Sequence, residues 1–366
     1  MKIECIKDKI KNAVSIAEKV TGKNLTLPIL NSLLFVAKDN ILRIRATNLD
    51  LGIEIHVPAK IEEEGIVAIP GDVLNNLLSL VHDKTVNLNL KNNNLSISTK
   101  NISTVIKSYP YEDFPTLPHI QIKDPFSIES HKLVLGLKSV FYSASVSDIK
   151  PEISSIYAHS DGEFLVLVAT DSFRLAEKKI SLPSRARQFP PALIPLKNAT
   201  EIIRILDGVN GDVEIHFNKN QISFVTEDMY ITSRLIDGIF PDYKQIIPKE
   251  NKAEATVLKQ DMMDALKISN IFSDKLNQID FEIDPKKKEF LVNSRNANVG
   301  ETITKVDGAF SGEKLALSFN FRYLIDCFPS ILKESVLFQF SGDAKPLVIK
   351  SAGDKSFLYL VMPLNK

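Results

Sequence analysis

Cysteine is nearly missing: the 366 residues hold two, Cys5 and Cys327, far apart and in no metal-ligand spacing. That argues against a disulfide framework or a thiolate metal site, and makes a reducing compartment, the cytoplasm, the expectation. Long hydrophobic runs are missing too. No apolar stretch approaches the ~18 residues that would span a bilayer, and the first residues hold no signal-peptide apolar region. There is no surplus of charge either. Forty-five Lys and Arg face 45 Asp and Glu, so nothing global announces nucleic acid or membrane as a partner. The motifs of catalysis are absent: no glycine-rich phosphate loop, no G-x-S-x-G elbow, no His/Cys metal spacing. His56, His82, His119, His131, His159 and His216 are scattered. Asp171 near Arg174 resembles an acid–base pair, but a turn aspartate bonded to its own backbone is the stronger reading. No enzyme, cofactor or metal is expected.

What is present is 44% hydrophobic and 25% charged residues, the composition of a globular chain. The length is too great for one ordinary core, so two or three domains are expected. A repeat decides between them. Ala46-Thr47-Asn48 returns as Ala169-Thr170-Asp171, a shift of 123. "AIP" at 68–70 precedes "VLNNLLSLV", as "LIP" at 193–195 precedes "ATEIIRIL". "NLSIST" at 94–99 meets "QISFVT" at 221–226, and "FPTLP" at 114–118 meets "FPDYKQIIP" at 240–248. A fainter third copy runs in the same order through "FLVNSRNANVGE" from 290, "LALSF" at 315–319 and "PLVIKS" at 346–351. Three domains follow, at 1–122, 123–249 and 250–366.

Each copy opens with a strand and an amphipathic helix. Ile6, Ile10, Ala13, Val14 and Ala17 form one apolar stripe, and Gly22 is placed to end that helix. The second copy carries Leu133, Leu137, Val140, Phe141 and Ala144, and the third Leu258, Met262, Ala265, Leu266 and Ser269. A second helix follows the "AIP" phrase. The remainder is short strands of period two, with "DG" at 161–162 and "NKNQ" at 218–221 as hairpin turns. The class is α+β, with two helices packed on about eight antiparallel strands in each copy.

"TLPIL" at 26–30, "ATDSFRLA" at 169–176, "FPDYKQIIP" at 240–248 and the terminal "YLVMP" at 359–363 together resemble the bacterial DNA polymerase III beta sliding clamp family. The resemblance spans the whole chain, its length and its threefold repeat. It implies the DNA clamp fold, assembled as a head-to-tail homodimer. Six domains would then close a ring around duplex DNA, helices inward and sheets outward. It also implies a non-catalytic processivity factor that tethers polymerase, clamp loader and repair proteins through short linear peptides. The alternative is a repeat-built peptide-binding scaffold that never encircles DNA.

Carried onto this sequence, the peptide pocket takes Ile153, Thr170, Ser172, Phe173, Arg174 and Leu175. Pro241, Ile246, Leu360, Val361, Met362, Pro363 and Leu364 complete it, with Arg174 and Thr170 as hydrogen-bonding groups. Family members commonly have Gly-His or Gly-Tyr where this chain has Ser172-Phe173, and a basic residue at Gln245. A slightly smaller and more apolar floor is expected. For DNA, the resemblance points to Lys197 and to Lys23-Asn24, where the basic residue is shifted by one position. The helices that would face DNA add Lys7, Lys11 and Lys138 to a lining that is only mildly positive. That suits sliding, because each phosphate neutralised strengthens the grip by counterion release. The dimer contact would bring Ile271 and Phe272 of the third copy against Leu77 and Val81 of the first.

Overall fold

The computed structural model describes residues 1–22, 27–120, 125–182 and 189–364. The first copy runs β1 (Lys2–Ile6), α1 (Lys7–Glu18), β2 (Ser32–Lys38), β3 (Ile41–Thr47), β4 (Leu51–Glu63) and β5 (Gly65–Pro70). It continues through α2 (Gly71–Leu80), β6 (Thr85–Lys91), β7 (Asn94–Ser98) and β8 (Ser103–Lys107). The second runs β9 (Phe126–Glu129), α3 (Ser130–Lys138), β10 (Ser155–Asp161), β11 (Phe164–Thr170), β12 (Arg174–Ser181) and β13 (Ala192–Pro195). After it come α4 (Leu196–Leu206), β14 (Asp212–Phe217), β15 (Gln221–Val225) and β16 (Met229–Arg234). The third holds β17 (Ala253–Leu258), α5 (Lys259–Ile271), β18 (Gln278–Asp284), β19 (Glu289–Asn296), β20 (Gly300–Lys305) and β21 (Gly308–Gly312). It ends with β22 (Leu315–Asn320), α6 (Phe321–Ile325), β23 (Ser335–Phe340), β24 (Leu347–Ser351) and β25 (Phe357–Val361). The α+β class stands, and the strand sequence is the same three times, with β21 as an addition.

Pairing repeats with equal fidelity. In the first copy β2 pairs with β3 and β5, and β3 with β4; in the second β10 pairs with β11 and β13, and β11 with β12. In the third β18 pairs with β19 and β22, and β19 with β20. The other half of each copy is also a meander: β1-β6-β7-β8, β9-β14-β15-β16 and β17-β23-β24-β25. Copies are then joined strand to strand. β16 of the second lies on β4 of the first, with Ser233 opposite Leu51 and Thr232 opposite Gly52. β25 of the third lies on β12 of the second, with Val361 opposite Arg174 and Leu360 opposite Leu175.

Because these pairings cross the copy boundaries, the chain gathers into two compact units rather than three. One holds residues 1–131 and 200–235, the other 132–199 and 236–366. In the first unit Ile10, Val14 and Ala17 of α1, with Leu74 and Leu78 of α2, are buried. In the second, Met262, Ala265 and Leu266 of α5 are buried, and Phe281, Phe290, Phe319 and Phe338 form an aromatic cluster, edge-to-face at Phe281–Phe290 and Phe290–Phe338 and tilted at Phe281–Phe319. Each of the larger of these side chains (Val, Leu, Ile, Met and Phe) contributes roughly 1.5–3 kcal/mol when fully buried.

Several local expectations need correction. Ile6 and Leu258 do not join their stripes: each is the residue before a helix, in extended backbone, and each is exposed. α3 stops at Lys138, and Phe141–Ser143 is a separate 3-10 turn. Gly22 does not cap α1, which ends at Glu18 with Thr21 Oγ1 donating to the Glu18 carbonyl. Its role is close approach, since a Cβ there would sit 3.3 Å from Asn48 Cβ. The hairpin turns lie where expected, with Asn218 Oδ1 accepting from the amides of Asn220 and Gln221.

The sheet of the first unit contains a buried carboxylate. Arg45 stands opposite Glu54 across β3 and β4, and His56 follows two residues later on the same face. Arg45 Nε donates to Glu54 Oε2, and His56 Nε2 lies 2.8 Å from Oε1. Burial alone would raise the Glu54 pKa, but the hydrogen bonds from His56 and Arg45 outweigh it and hold the group at about 2. A depressed carboxylate pKa contributes stability that is present above the unfolded value, near 4.5, and is lost as pH falls toward 2. Acid unfolding is expected to show this as a loss of about 2–3 kcal/mol over that window. In Glu54→Gln that part of the pH dependence should vanish; an unchanged acid titration would contradict it.

Candidate functional site: the turn, the strand and the polar cluster around Arg174

The phrase written twice in the sequence is one hydrogen-bonded turn written twice. Between β3 and β4, Asn48 Oδ1 accepts from the amides of Asp50 and Leu51 at 3.0 and 2.8 Å. Thr47 Oγ1 donates to the Leu51 carbonyl and accepts from the Leu49 amide. Between β11 and β12, Asp171 Oδ1 accepts from Phe173 and Arg174, both at 2.9 Å. Thr170 Oγ1 donates to the Arg174 carbonyl and accepts from the Ser172 amide. A short polar side chain satisfies its own turn amides, which is why Thr-Asn and Thr-Asp recur. The turn also forces one residue to positive φ, Leu49 at 79° and Ser172 at 78°. Asp171 is therefore a turn residue.

Arg174 opens β12 beside that turn. Its Nε donates to Asp171 Oδ2 at 2.9 Å and its Nη1 to Asp326 Oδ2 at 2.6 Å. The guanidinium carbon lies 4.5 Å from the centre of the Tyr323 ring and 5.9 Å from that of Tyr142. Burial would lower its pKa, but Tyr359 and the carboxylates of Asp326 and Asp171 hold it above the ordinary guanidinium value. The charge is permanent. Two of its donors, and both roles of the Thr170 hydroxyl, are thus engaged inside the protein.

The apolar members of the site divide into a floor and a rim. Leu175 and Leu360 are cross-strand neighbours and belong to a buried cluster with Val168, Phe240, Tyr243 and Val348. Val361 is fully buried at the end of β25. Phe173, Ile246 and Met362 are exposed large apolar side chains, Phe173 at 61%. The Met362 amide donates to the Phe173 carbonyl at 2.8 Å, which ties the segment after β25 to the turn. The Leu364 amide donates to the Ser318 carbonyl. Pro241 is exposed, Pro363 and Leu364 are half-buried, and Ile153 is buried just before β10, its carbonyl accepting from the Ser145 amide. Gln245 turns back on Asp242, its Nε2 donating to Oδ2 at 2.8 Å.

Sequence reasoning missed Tyr323 and Asp326, because the Arg174–Asp326 pair spans 152 residues and nothing local marks it. It also missed a buried chain in which the Tyr243 hydroxyl donates to Glu177 Oε2 at 2.6 Å with His159 Nε2 3.2 Å away. Burial and the Glu177 carboxylate push the Tyr243 pKa up, so the phenol stays a donor.

Other expected positions lie elsewhere. Lys23 and Asn24 fall outside the described residues. Lys7 Nζ is paired with Asp8 at 2.6 Å and its side chain is mostly covered, and Lys11 is half-buried; Lys9 of α1 and Lys19, just after the helix, are exposed. Lys138 is exposed at the end of α3, and Lys197 is exposed at the start of α4 with Nζ 2.7 Å from Asp148 Oδ2. Ile271 is exposed and Phe272 half-buried at the end of α5. Leu77 is half-buried, but Val81 is 2% exposed and belongs to the core of its own unit; the exposed apolar residues of α2 are Val73 and Leu80. Both thiols are free and buried, and burial pushes the Cys5 pKa up to about 12. Among the described residues, no group of three or more His, Cys, Asp or Glu is placed to hold a metal.

Because an L side chain at positive φ costs about 1–2 kcal/mol and glycine carries a smaller entropic cost, Ser172→Gly is expected to stabilise by about 0.5–1 kcal/mol. The urea midpoint should rise; a fall would mean that the turn is not strained at this position.

Comparison with known proteins now identifies the lineage. Residues 1–118 match the model of the DNA polymerase III beta subunit, N-terminal domain, residues 127–242 that of its central domain, and residues 244–365 that of its C-terminal domain. The beta sliding clamp of Rickettsia bellii is 27% identical over 367 residues, 96% of each chain. That of Bacillus subtilis is 24% identical over 376 residues, all of both chains. Among solved structures, the Bacillus subtilis DNA polymerase sliding clamp superposes with a TM-score of 0.96 at 23% identity, covering 100% of this chain and 99% of that one. The DNA polymerase III beta subunit of Thermotoga maritima gives 0.93 at 26% identity, with the same coverage. With the three domain models matched in order along its length, the chain belongs to the family of bacterial DNA polymerase III beta subunits, the beta sliding clamps.

Proposed function

We propose that this chain is the processivity factor of a replicative DNA polymerase. It acts as a dimeric ring that encircles duplex DNA and tethers its partners through the site around Phe173 and Met362. The observation that carries the reading is a strand-pairing rule applied twice and left open once. β4 receives β16, and β12 receives β25. Among the described residues, the third-copy counterpart of β4 and β12 is β20, an open sheet edge, and the first-copy counterpart of β16 and β25 is β8, also an open edge. β8 carries Val105 at 65% exposure and β20 carries Ile303 at 68%. Pairing β20 of one copy with β8 of another repeats the same junction and makes a head-to-tail contact that closes by twofold symmetry.

The apolar side chains beside those edges fit the contact. Ile268 and Ile271 of α5 and Val299 before β20 are exposed, as are Val73 and Leu80 of α2. The interface therefore uses Val73, Leu77 and Leu80 against Ile271 and Phe272, in place of Val81. The domains are read as 1–122, 123–249 and 250–366, three clamp units joined by shared sheets. Contact with DNA is assigned to exposed lysines: Lys9 of α1, Lys19 just after that helix, Lys138 and Lys197, with half-buried Lys11. Such contacts are sequence-independent and salt-dependent. No ATPase motif is present, so opening the ring falls to a separate loader. The cytoplasm is the compartment assigned, consistent with buried free thiols and with no described helix long and apolar enough to cross a membrane.

At the peptide site, exposed Phe173, Ile246 and Met362 form an apolar rim above the Leu175–Leu360 floor. The Pseudomonas aeruginosa clamp has been solved bound to griselimycin, so a ligand-binding site occurs in a relative of this fold. An apolar anchor in such a site contributes on the order of 2 kcal/mol.

Two outcomes test the reading. Ile271→Ala with Phe272→Ala should give a folded monomer by light scattering; a species still dimeric at low micromolar concentration would overturn the interface. Phe173→Ala with Met362→Ala removes exposed groups, so the fold and the dimer should survive. Binding of a polymerase tail peptide should fall by well over tenfold in calorimetry. Unchanged affinity would remove these residues from the site.

A further inference from the structure

Among the described residues, the three most exposed large apolar side chains are Val146 at 91%, Ile239 at 90% and Ile149 at 88%; the next, Leu80, is at 73%. Single apolar residues are common on a protein surface, but these three stand on two segments that meet. The first segment is the loop between the Phe141–Ser143 turn and β10, and the second is the link that follows β16. They meet at Glu152, whose Cβ would lie 3.8 Å from a Cβ placed on Gly238, the residue before Ile239. The Ile236 amide donates to the Leu193 carbonyl of β13, and the amide of Leu196, just after β13, donates to the Ser154 carbonyl. Both segments are thus fastened around the same edge strand.

The loop is held in shape. The Ser145 amide donates to the Ile153 carbonyl at 2.9 Å, and the Ile153 and Ser154 amides both donate to the Lys150 carbonyl at 3.1 Å. Ser145 Oγ accepts from the Ser147 amide at 3.2 Å, and Lys197 Nζ donates to Asp148 Oδ2 at 2.7 Å. Polar groups of the loop are therefore bonded within the protein while Val146 and Ile149 stand in water, where aliphatic surface is unfavourable.

Continuity with the peptide site names the occupant. Ile153, which that site includes, closes the loop, and Pro241, another of its members, lies two residues beyond Ile239. The proposed ring contact lies elsewhere, on β8, β20, α2 and α5. Duplex DNA fits poorly, since valine and isoleucine neutralise no phosphate and Lys197 is already paired with Asp148. We propose that Val146, Ile149 and Ile239 form an accessory docking surface for a tethered partner protein. The folded part of that partner, next to its anchor peptide, sets an uncharged aliphatic patch on them. The choice of a tethered protein rests on the peptide reading of the Phe173–Met362 site; the exposure and the fixed loop do not.

The test uses the full chain carrying Val146→Ser, Ile149→Ser and Ile239→Ser together. Its melting temperature and dimer mass should match those of the unaltered chain, because the three side chains are almost wholly in solvent. Affinity for a polymerase tail peptide should be unchanged in calorimetry. Affinity for the whole polymerase subunit that carries the tail should fall about tenfold or more, the loss expected when three aliphatic contacts are removed. Equal affinity for the whole subunit overturns the proposal. So does faster loss from closed circular DNA with subunit affinity unchanged, which would give the patch to DNA. Loss of assemblies larger than a dimer, again with subunit affinity unchanged, would give it to a second copy of the chain and overturn the proposal too. The other site is read separately by the tail peptide. If Phe173→Ala with Met362→Ala leaves the peptide's affinity unchanged, the peptide site is misplaced, and the triple variant still decides the patch.

Discussion

One interaction sets the plan of this protein: the last strand of the second and of the third copy finishes the sheet of the copy before it. β16 on β4 and β25 on β12 are the same antiparallel junction. Both place a self-bonded Thr-Asx turn beside the strand that arrives. Backbone ladders specify register because a one-residue slip would move every side chain to the opposite face. That fixes Leu360 beside Leu175 and ties the Met362 amide to the Phe173 carbonyl. The candidate site thus lies where two copies join rather than within any copy alone, and the same joining explains why contacts divide the chain into two units while the sequence repeats three times.

Much of this was legible in the sequence, for a physical reason. Turns whose side chains bond their own amides are local, so "ATN" and "ATD" located β3–β4 and β11–β12, and "NKNQ" located β14–β15. Apolar spacing located α1, α2 and α5. What failed was non-local or depended on ends. The carboxylate that holds Arg174 comes from Asp326, far along the chain. Val81 keeps the helical spacing of an interface residue, but the chain leaves α2 at Leu80 and turns Val81 inward. Ile6 and Leu258 keep the stripe spacing yet precede the first turn of their helices. Lys7 reads as a solvated cation and is paired with its neighbour Asp8.

The family reading and the charge pattern agree on mechanism. A chain of net charge zero has no global positive field with which to grip DNA. Enclosure needs no such grip. A weakly attractive lining lets a ring move while topology keeps it in place, and in the proposed reading partner specificity falls to the apolar site beside Arg174, whose guanidinium is already held by two carboxylates.

The central claim is retention by topology, and the most direct measurement is the rate at which loaded protein leaves closed circular DNA compared with the same DNA after one cut. The account predicts long retention on the circle and rapid loss from the free ends after cutting, at a salt concentration that abolishes simple binding. Equal departure rates from circle and linear DNA would contradict it and leave a peptide-binding scaffold that never encircles DNA.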